Sequence, residues 1–137
     1  MAADLDARTD AGDPDSRFYR DGLAAGRLLL QRCTACGRVR FPPLPTCPFC
    51  ASRDTVVIEA TGTGRVYSWI TVRAALAAAA ARDVPYAVAV VALDEGCRVL
   101  GRMRDIDEVA CEMPVEVVVA PARPGDPYLE FVRAGGA

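Results

Sequence analysis

The sequence predicts a mainly β protein: a short N-terminal helix, a four-cysteine zinc ribbon and a small C-terminal barrel of about five strands. Three observations predict it. Two Cys-x-x-Cys pairs, Cys33/Cys36 and Cys47/Cys50, stand ten residues apart. The segment between and around them carries Pro42, Pro43, Pro45 and Pro48, which rule out a helix there. From Thr55 to Arg133, alternating or wholly apolar runs are broken by turn formers about every ten residues, the cadence of a small antiparallel barrel.

The elements follow in order. Residues 1–14 form an acidic leader without an apolar period, expected to be flexible. Asp4, Asp6, Asp10, Asp13 and Asp15 stand there against Arg8, a local charge of −4 over residues 1–15 in a chain of net charge −2. Asp15 or Ser16 is suited to cap a helix over Arg17–Ala25, with Phe18, Tyr19 and Leu23 near one face and Gly26 as its stop. Arg27–Arg32 then reads as a short extended run, so that residues 15–32 make the helix and lead-in strand, 33–54 the ribbon and 55–133 the barrel. Thr55–Ala60 is the first strand candidate. Gly64–Arg73 alternates, with Val66, Ile70 and Val72 on one face and Tyr67, Trp69 and Thr71 on the other. Tyr86–Leu93 is apolar on both faces, as a central strand should be. Cys97–Arg104 sets Val99 and Met103 opposite Arg98, Arg102 and Arg104, and Pro114–Ala120 and Tyr128–Arg133 complete the set. Between strands, Ala74–Arg82 has high helix propensity and is expected to form one helical turn or an ordered loop.

The cysteines carry the sharpest chemistry. In each pair the two-residue spacer lets a tight turn aim both sulfurs at one point, and four thiolates at about 2.3 Å satisfy tetrahedral Zn²⁺. Cys33, Cys36, Cys47 and Cys50 are therefore the candidate ligands of a structural zinc, and Gly37 fits a knuckle turn that needs positive φ. A redox dithiol pair or an iron site are the alternatives. A closed four-sulfur site leaves no open coordination position, so its work is folding rather than catalysis. Cys97 and Cys111 lack close partners and are expected as buried core thiols.

Composition excludes several function classes. The sixteen basic residues are all arginine, and there is no histidine, so the chain lacks imidazole bases and Schiff-base lysines. Asp94, Glu95, Cys97 and Cys111 form no recognisable catalytic constellation. The start of the chain is polar and acidic rather than a secretory signal, and the longest apolar run, Ala74–Ala81, is too short to span a bilayer. A cytoplasmic location without membrane contact is the expectation. A nucleic-acid groove would need net basic charge and interleaved aromatics, whereas aromatics are 7% and the net charge is negative.

The string Arg27-Leu28-Leu29-Leu30-Gln31-Arg32-Cys33-Thr34-Ala35-Cys36-Gly37, followed by Phe41-Pro42-Pro43 and Cys47-Pro48-Phe49-Cys50, resembles the acyl-CoA-associated zinc-ribbon/OB-fold proteins. Gly62–Trp69, Pro85-Tyr86, Gly96–Gly101 and Met113-Pro114-Val115-Glu116-Val117 correspond in the same order, with Glu112 where the family usually has glycine. The resemblance covers about residues 17–133. It implies an N-terminal helix, a rubredoxin-like four-cysteine zinc ribbon and a five-stranded OB-fold barrel. It also implies a role as non-catalytic partner of a thiolase-like, lipid-transfer-protein-like subunit, helping form the acyl-CoA site in thiolysis or in steroid side-chain retro-aldol cleavage. Some relatives are fused to hot-dog-fold hydratases, which makes such an enoyl-CoA hydratase a second partner class. Tyr67 and Trp69 are candidates to stack on adenine or an acyl chain, and Arg98, Arg102 and Arg104 to pair with CoA phosphates. A stand-alone acyl-CoA-binding protein or thioesterase is the competing reading. Ala74–Ala81 departs from the polar, proline-bearing connection common in the family.

Overall fold

Pro14–Ser16 form a 3₁₀ turn that runs straight into helix α1, Arg17–Ala24. The computed structural model describes residues 13–75, 83–121 and 127–135. The cap sits earlier than the sequence suggests. The Asp13 carboxylate accepts from the Asp15 N–H at 3.2 Å, while Ser16 gives α1 no side-chain cap. Pro14 supplies the reason, since its fixed φ pre-forms the first turn one residue ahead of the expected start. Gly26 stops the helix at φ 77°, with the Arg27 N–H returning to the Gly22 carbonyl at 2.8 Å. Leu23 is buried beneath α1, and Tyr19 packs on Phe41 with ring centroids 5.3 Å apart.

Three short strands make the first sheet. β1 (Leu29–Cys33) pairs antiparallel with β2 (Val39–Arg40) on one side and with β3 (Thr55–Glu59) on the other. The sequence groups Thr55–Glu59 with the barrel; the structure gives it to the ribbon sheet, in register from Leu29↔Glu59 to Cys33↔Thr55. Five extended residues carry no local signal for which open edge they will join, and here the unpaired edge of β1 is the one available.

β4 (Thr63–Val72), β5 (Tyr86–Leu93), β6 (Arg98–Met103), β7 (Pro114–Ala120) and β8 (Tyr128–Arg133) close a barrel in the order β4-β5-β6-β8-β7, with β7 returning to β4. This is the five-stranded barrel that the resemblance implies, but it is not wholly antiparallel. β6 and β8 run parallel, through Arg102↔Glu130 and Met103↔Phe131. A closed ring of five strands cannot alternate direction all the way round, so one neighbouring pair must be parallel.

Strand alternation holds for β5 and β6 and fails in β4. Val66 pairs with Val91 and Ser68 with Val90, leaving Tyr67 as the extra residue of a β-bulge. Beyond it the faces exchange. Val66 is fully buried, whereas Ile70, expected on the same face, is 63% exposed. Trp69, opposite the buried Ala89, takes the inward face instead. Val66, Val91, Val99, Val115 and Phe131 fill the barrel, and one continuous core joins them to Leu23, Leu28, Leu30 and Val39 of the helix and ribbon. The interval expected to form a helical turn at Ala74–Arg82 lies mostly outside the described residues, as does nearly all of the acidic leader. Among the described residues, no helix is long and apolar enough to cross a membrane.

Candidate functional site

The two knuckles are built on matching backbone bonds. The Cys33 N–H donates to the Arg38 carbonyl and the Cys47 N–H to that of Ser52, at 2.9 and 2.8 Å. The turn of each knuckle closes by Gly37 N–H to Cys33 O and Ala51 N–H to Cys47 O, both at 2.8 Å. The two turn residues share a left-handed backbone, φ 78° at Gly37 and 63° at Ala51. Glycine meets that demand without strain in the first knuckle, and alanine meets it at a steric cost in the second.

These turns bring the four sulfurs together. Cys33 Sγ lies 3.5 Å from Cys50 Sγ, Cys36 Sγ lies 3.7 Å from Cys47 Sγ, and all four ligand atoms fall within 4.8 Å of one another. A tetrahedron of sulfurs at about 2.3 Å from a metal has edges of about 3.8 Å. The donor set and its spacing therefore fit a four-sulfur metal site. Cys33 and Cys47 are buried and Cys36 and Cys50 exposed, so each knuckle contributes one inner and one outer ligand. The Cys36 N–H points at Cys33 Sγ at 3.5 Å. That backbone bond is the main reason the Cys33 pKa is lowered to about 6, with burial opposing it and Cys50 assisting. At Cys47 burial works against ionisation, yet the backbone N–H groups of Phe49 and Cys50 bring the net shift down. A bond from Ser52 favours the Cys50 thiolate, but the neighbouring thiols and burial outweigh it and push Cys50 up to about 12.

Beneath the knuckles lies a polar brace that sequence reasoning did not single out. Gln31 and Arg40, register partners across β1 and β2, are both buried. Arg40 Nε donates to Gln31 Oε1 at 3.0 Å, Arg40 Nη2 donates to the Leu44 carbonyl at 3.0 Å, and the Leu44 N–H donates to Gln31 Oε1 at 2.9 Å. The network pins the proline-rich link between the two Cys-x-x-Cys pairs to the sheet. Its signal in the sequence is faint: one Gln and one Arg at strand positions that alternation would make apolar.

The barrel candidates divide into separate settings. Tyr67, on the bulge, lies under the Arg98 guanidinium, 3.7 Å from ring centroid to Cζ. Arg102 stacks on Tyr86 at 4.2 Å and forms an ion pair with Asp83 at 3.5 Å. Arg104 pairs with Glu130. Arg102 and Arg104 line a hollow of about 550 Å³ together with Asp83, Met103, Tyr128 and Glu130. Its two carboxylates balance its two guanidinium groups, so it is not an open anion site. Trp69 is 38% exposed and on the opposite face of β4 from Ile70. Cys97 is a buried thiol as expected, pushed up to about 11 by burial and by the nearby Glu95 charge. Cys111 corrects the expectation for its type: it is exposed, with its thiol 3.4 Å from the Tyr67 carbonyl. It lies in the turn before β7, where the chain has left the core.

The same two modules recur in known proteins. Residues 20–56 match the rubredoxin-like zinc ribbon domain of ChsH2, and residues 57–120 match its C-terminal OB-fold domain. A DUF35 domain-containing scaffold protein of Pyrococcus furiosus is 34% identical over 113 residues, which span 81% of this chain and 82% of that protein. The chain belongs to the DUF35 family. A probable enoyl-CoA hydratase alpha subunit of Thermomonospora curvata is 42% identical over 103 residues, and the match spans 74% of this chain but only 32% of that protein. The benzoylsuccinyl-CoA thiolase subunit BbsA of Thauera aromatica is 28% identical, covering 80% of each chain. Among solved structures, a chain of the Ltp2-ChsH2(DUF35) aldolase superposes with a TM-score of 0.80 at 37% identity, covering 90% of this DUF35 chain and 98% of the other.

Proposed function

We propose that this DUF35 chain is a non-catalytic accessory subunit of a thiolase-superfamily enzyme acting on an acyl-CoA, and that Cys33, Cys36, Cys47 and Cys50 hold a structural Zn²⁺. One observation carries the reading. The helix–ribbon–barrel fold matches nearly the whole length of a chain from an aldolase assembly at 37% identity. In that structure a DUF35 chain of the same fold stands with Ltp2 in an aldolase. The composition supports the division of labour, because a chain without histidine or lysine lacks the usual bases and amine nucleophiles of acyl-CoA chemistry. The metal takes the role of a closed four-sulfur site: it ties the proline-rich link to β1 and β3 and so fixes the ribbon against the barrel.

Two chemistries fit this role, retro-aldol cleavage of a steroid-type side-chain acyl-CoA and thiolysis. The aldolase likeness favours the first, and the likeness to a thiolase subunit keeps the second in view. The barrel contributes wall to the CoA and acyl channel, with Trp69 and Arg98 better suited to ligand contact than Arg102 and Arg104, which already have acidic partners. A hydratase is the second partner class, supported by the likeness to a hydratase alpha subunit, 32% of which the match spans.

Isothermal titration of the isolated chain with an acyl-CoA, run beside a thioester hydrolysis assay, tests the reading. The expected result is no hydrolysis and no tight binding by the chain alone, with binding gained on addition of a thiolase-type subunit. Turnover by the isolated chain would replace this reading with a stand-alone thioesterase.

A further inference from the structure

The ribbon sheet ends in an open edge. β3 bonds to β1 on one side and, among the described residues, has no strand on the other. The bonds that flank this pairing fix which groups face outward. The Asp54 carbonyl accepts from the Thr34 N–H at 3.0 Å, and the Ala60 N–H donates to the Leu28 carbonyl at 2.9 Å. Bonded pairs alternate along an antiparallel ladder, so Val56 and Ile58 also turn their backbone groups to β1. Thr55, Val57 and Glu59 turn theirs away, and no backbone bond among the described residues takes them up.

Edge strands of monomeric proteins carry guards against pairing: a cationic side chain, a proline, a bulge or very short length. β3 has none of these. Its sequence is Thr-Val-Val-Ile-Glu, its register with β1 is unbroken, and Val56 and Val57 are 45% and 48% exposed. The opposite edge of the same sheet is guarded, since β2 is two residues long and ends just before Phe41-Pro42-Pro43. β3 is therefore a template for one more strand.

We infer that β3 pairs with β3 of a second copy of this chain, antiparallel about a two-fold axis at Val57. In that register the strand is its own complement. Val57 faces the other copy's Val57 and Thr55 faces Glu59, so every outward backbone group of both strands is used, in three hydrogen-bonded pairs of two bonds each. An axis at Val56 would leave Glu59 without a strand partner, and one at Ile58 would leave Thr55 without one. The side chains agree with the backbone. Val56 faces Ile58, a pair of β-branched residues, and no like charges stand opposite each other: Glu59 faces Thr55, Asp54 faces Ala60 and Arg53 faces Thr61. Glu59 is moreover held by Arg27 at 2.9 Å. Nucleic acid would need cations on this strand, which has none. A second copy is favoured over a foreign strand because one self-complementary edge supplies both sides of a closed two-fold dimer. The product is a six-stranded sheet in the order β2-β1-β3-β3-β1-β2. This self-pairing stands apart from the accessory-subunit reading and does not rest on it.

The test follows the full zinc-loaded chain by sedimentation from micromolar to submillimolar concentration, with amide hydrogen exchange read residue by residue. A monomer–dimer equilibrium is expected. The Thr55, Val57 and Glu59 amides should gain protection as concentration rises, while those of Val56 and Ile58 are protected throughout. Val57→Lys and Val57→Glu each set like charges opposite each other at the axis and should raise the dimer dissociation constant about fivefold or more. An equimolar mixture of the two variants should pair again. Unaltered melting and zinc content verify that both variants fold, and Val57 is exposed enough to accept either change. A chain that stays monomeric over the whole range would overturn the inference. So would a dimer indifferent to Val57→Lys, which must form through another surface, or a mixture that does not recover. Protection of the three amides that appears only on addition of a thiolase-type subunit would give the edge to that partner, overturning self-pairing while leaving the accessory-subunit reading intact.

Discussion

At the β6–β8 seam of the barrel, closure depends on the absence of a side chain at Gly101. A Cβ at Gly101 would lie 2.7 Å from the Leu129 carbonyl oxygen and 2.8 Å from Cε2 of Phe131. The first neighbour is backbone of β8 and the second is the largest fully buried side chain in the barrel, so neither can move aside without disturbing the β6–β8 pairing. Gly101→Ala therefore costs about 1–3 kcal/mol, the range for forcing an extra methyl into a filled core. At about 4 °C per kcal/mol for a domain of this size, the midpoint falls by about 4–12 °C. Thermal unfolding followed by circular dichroism reads this directly, and urea titration checks that the slope of free energy on denaturant is unchanged. A fall below about 2 °C would show that the parallel pair tolerates separation, and the need for glycine at closure would be refuted.

Other outcomes follow from the ribbon and from the two remaining thiols. Cys47→Ser should abolish stoichiometric zinc binding and expose the amides of β1–β3 to exchange while those of β4–β8 stay protected; unchanged metal content and melting would contradict the site. Ala51→Gly should stabilise the protein by up to about 1 kcal/mol, since φ 63° costs alanine and not glycine, and a lower midpoint would contradict it. In the zinc-loaded protein a thiol reagent should react first at the exposed Cys111, and Cys111→Ser should remove that fast phase. Because burial raises the Cys97 thiol from 9.0 to about 11, the native state favours its protonated form. Its contribution to stability is full below pH 9 and fades as pH rises toward 11, so Cys97→Ala should flatten the alkaline fall measured by pH-dependent unfolding.

The parts of this molecule that are legible in sequence are those fixed over short stretches of chain. Ligand geometry demands a two-residue spacer, so the cysteine pairs announce their site without any knowledge of the fold. Gly26 and Gly37 are readable for a similar reason, since a helix stop and a knuckle turn each need the positive φ that glycine accepts. What escapes is set by pairing at a distance. Thr55–Glu59 joins the ribbon because β1 has an open edge, not because of its own residues. The bulge at Tyr67 uses no glycine, so alternation reads straight through it and puts Ile70 on the wrong face. The Gln31–Arg40 brace becomes meaningful only once β1 and β2 are in register and Leu44 is brought over them.

The proposed function turns on a division of labour between this chain and a catalytic partner. The decisive measurement is turnover of an acyl-CoA by a thiolase-type subunit, with and without equimolar DUF35 chain, beside the DUF35 chain alone. Cleavage by the pair is expected, with at most residual activity from the partner alone and none from this chain alone. Full activity of the partner without this chain, or turnover by this chain without a partner, would contradict that division.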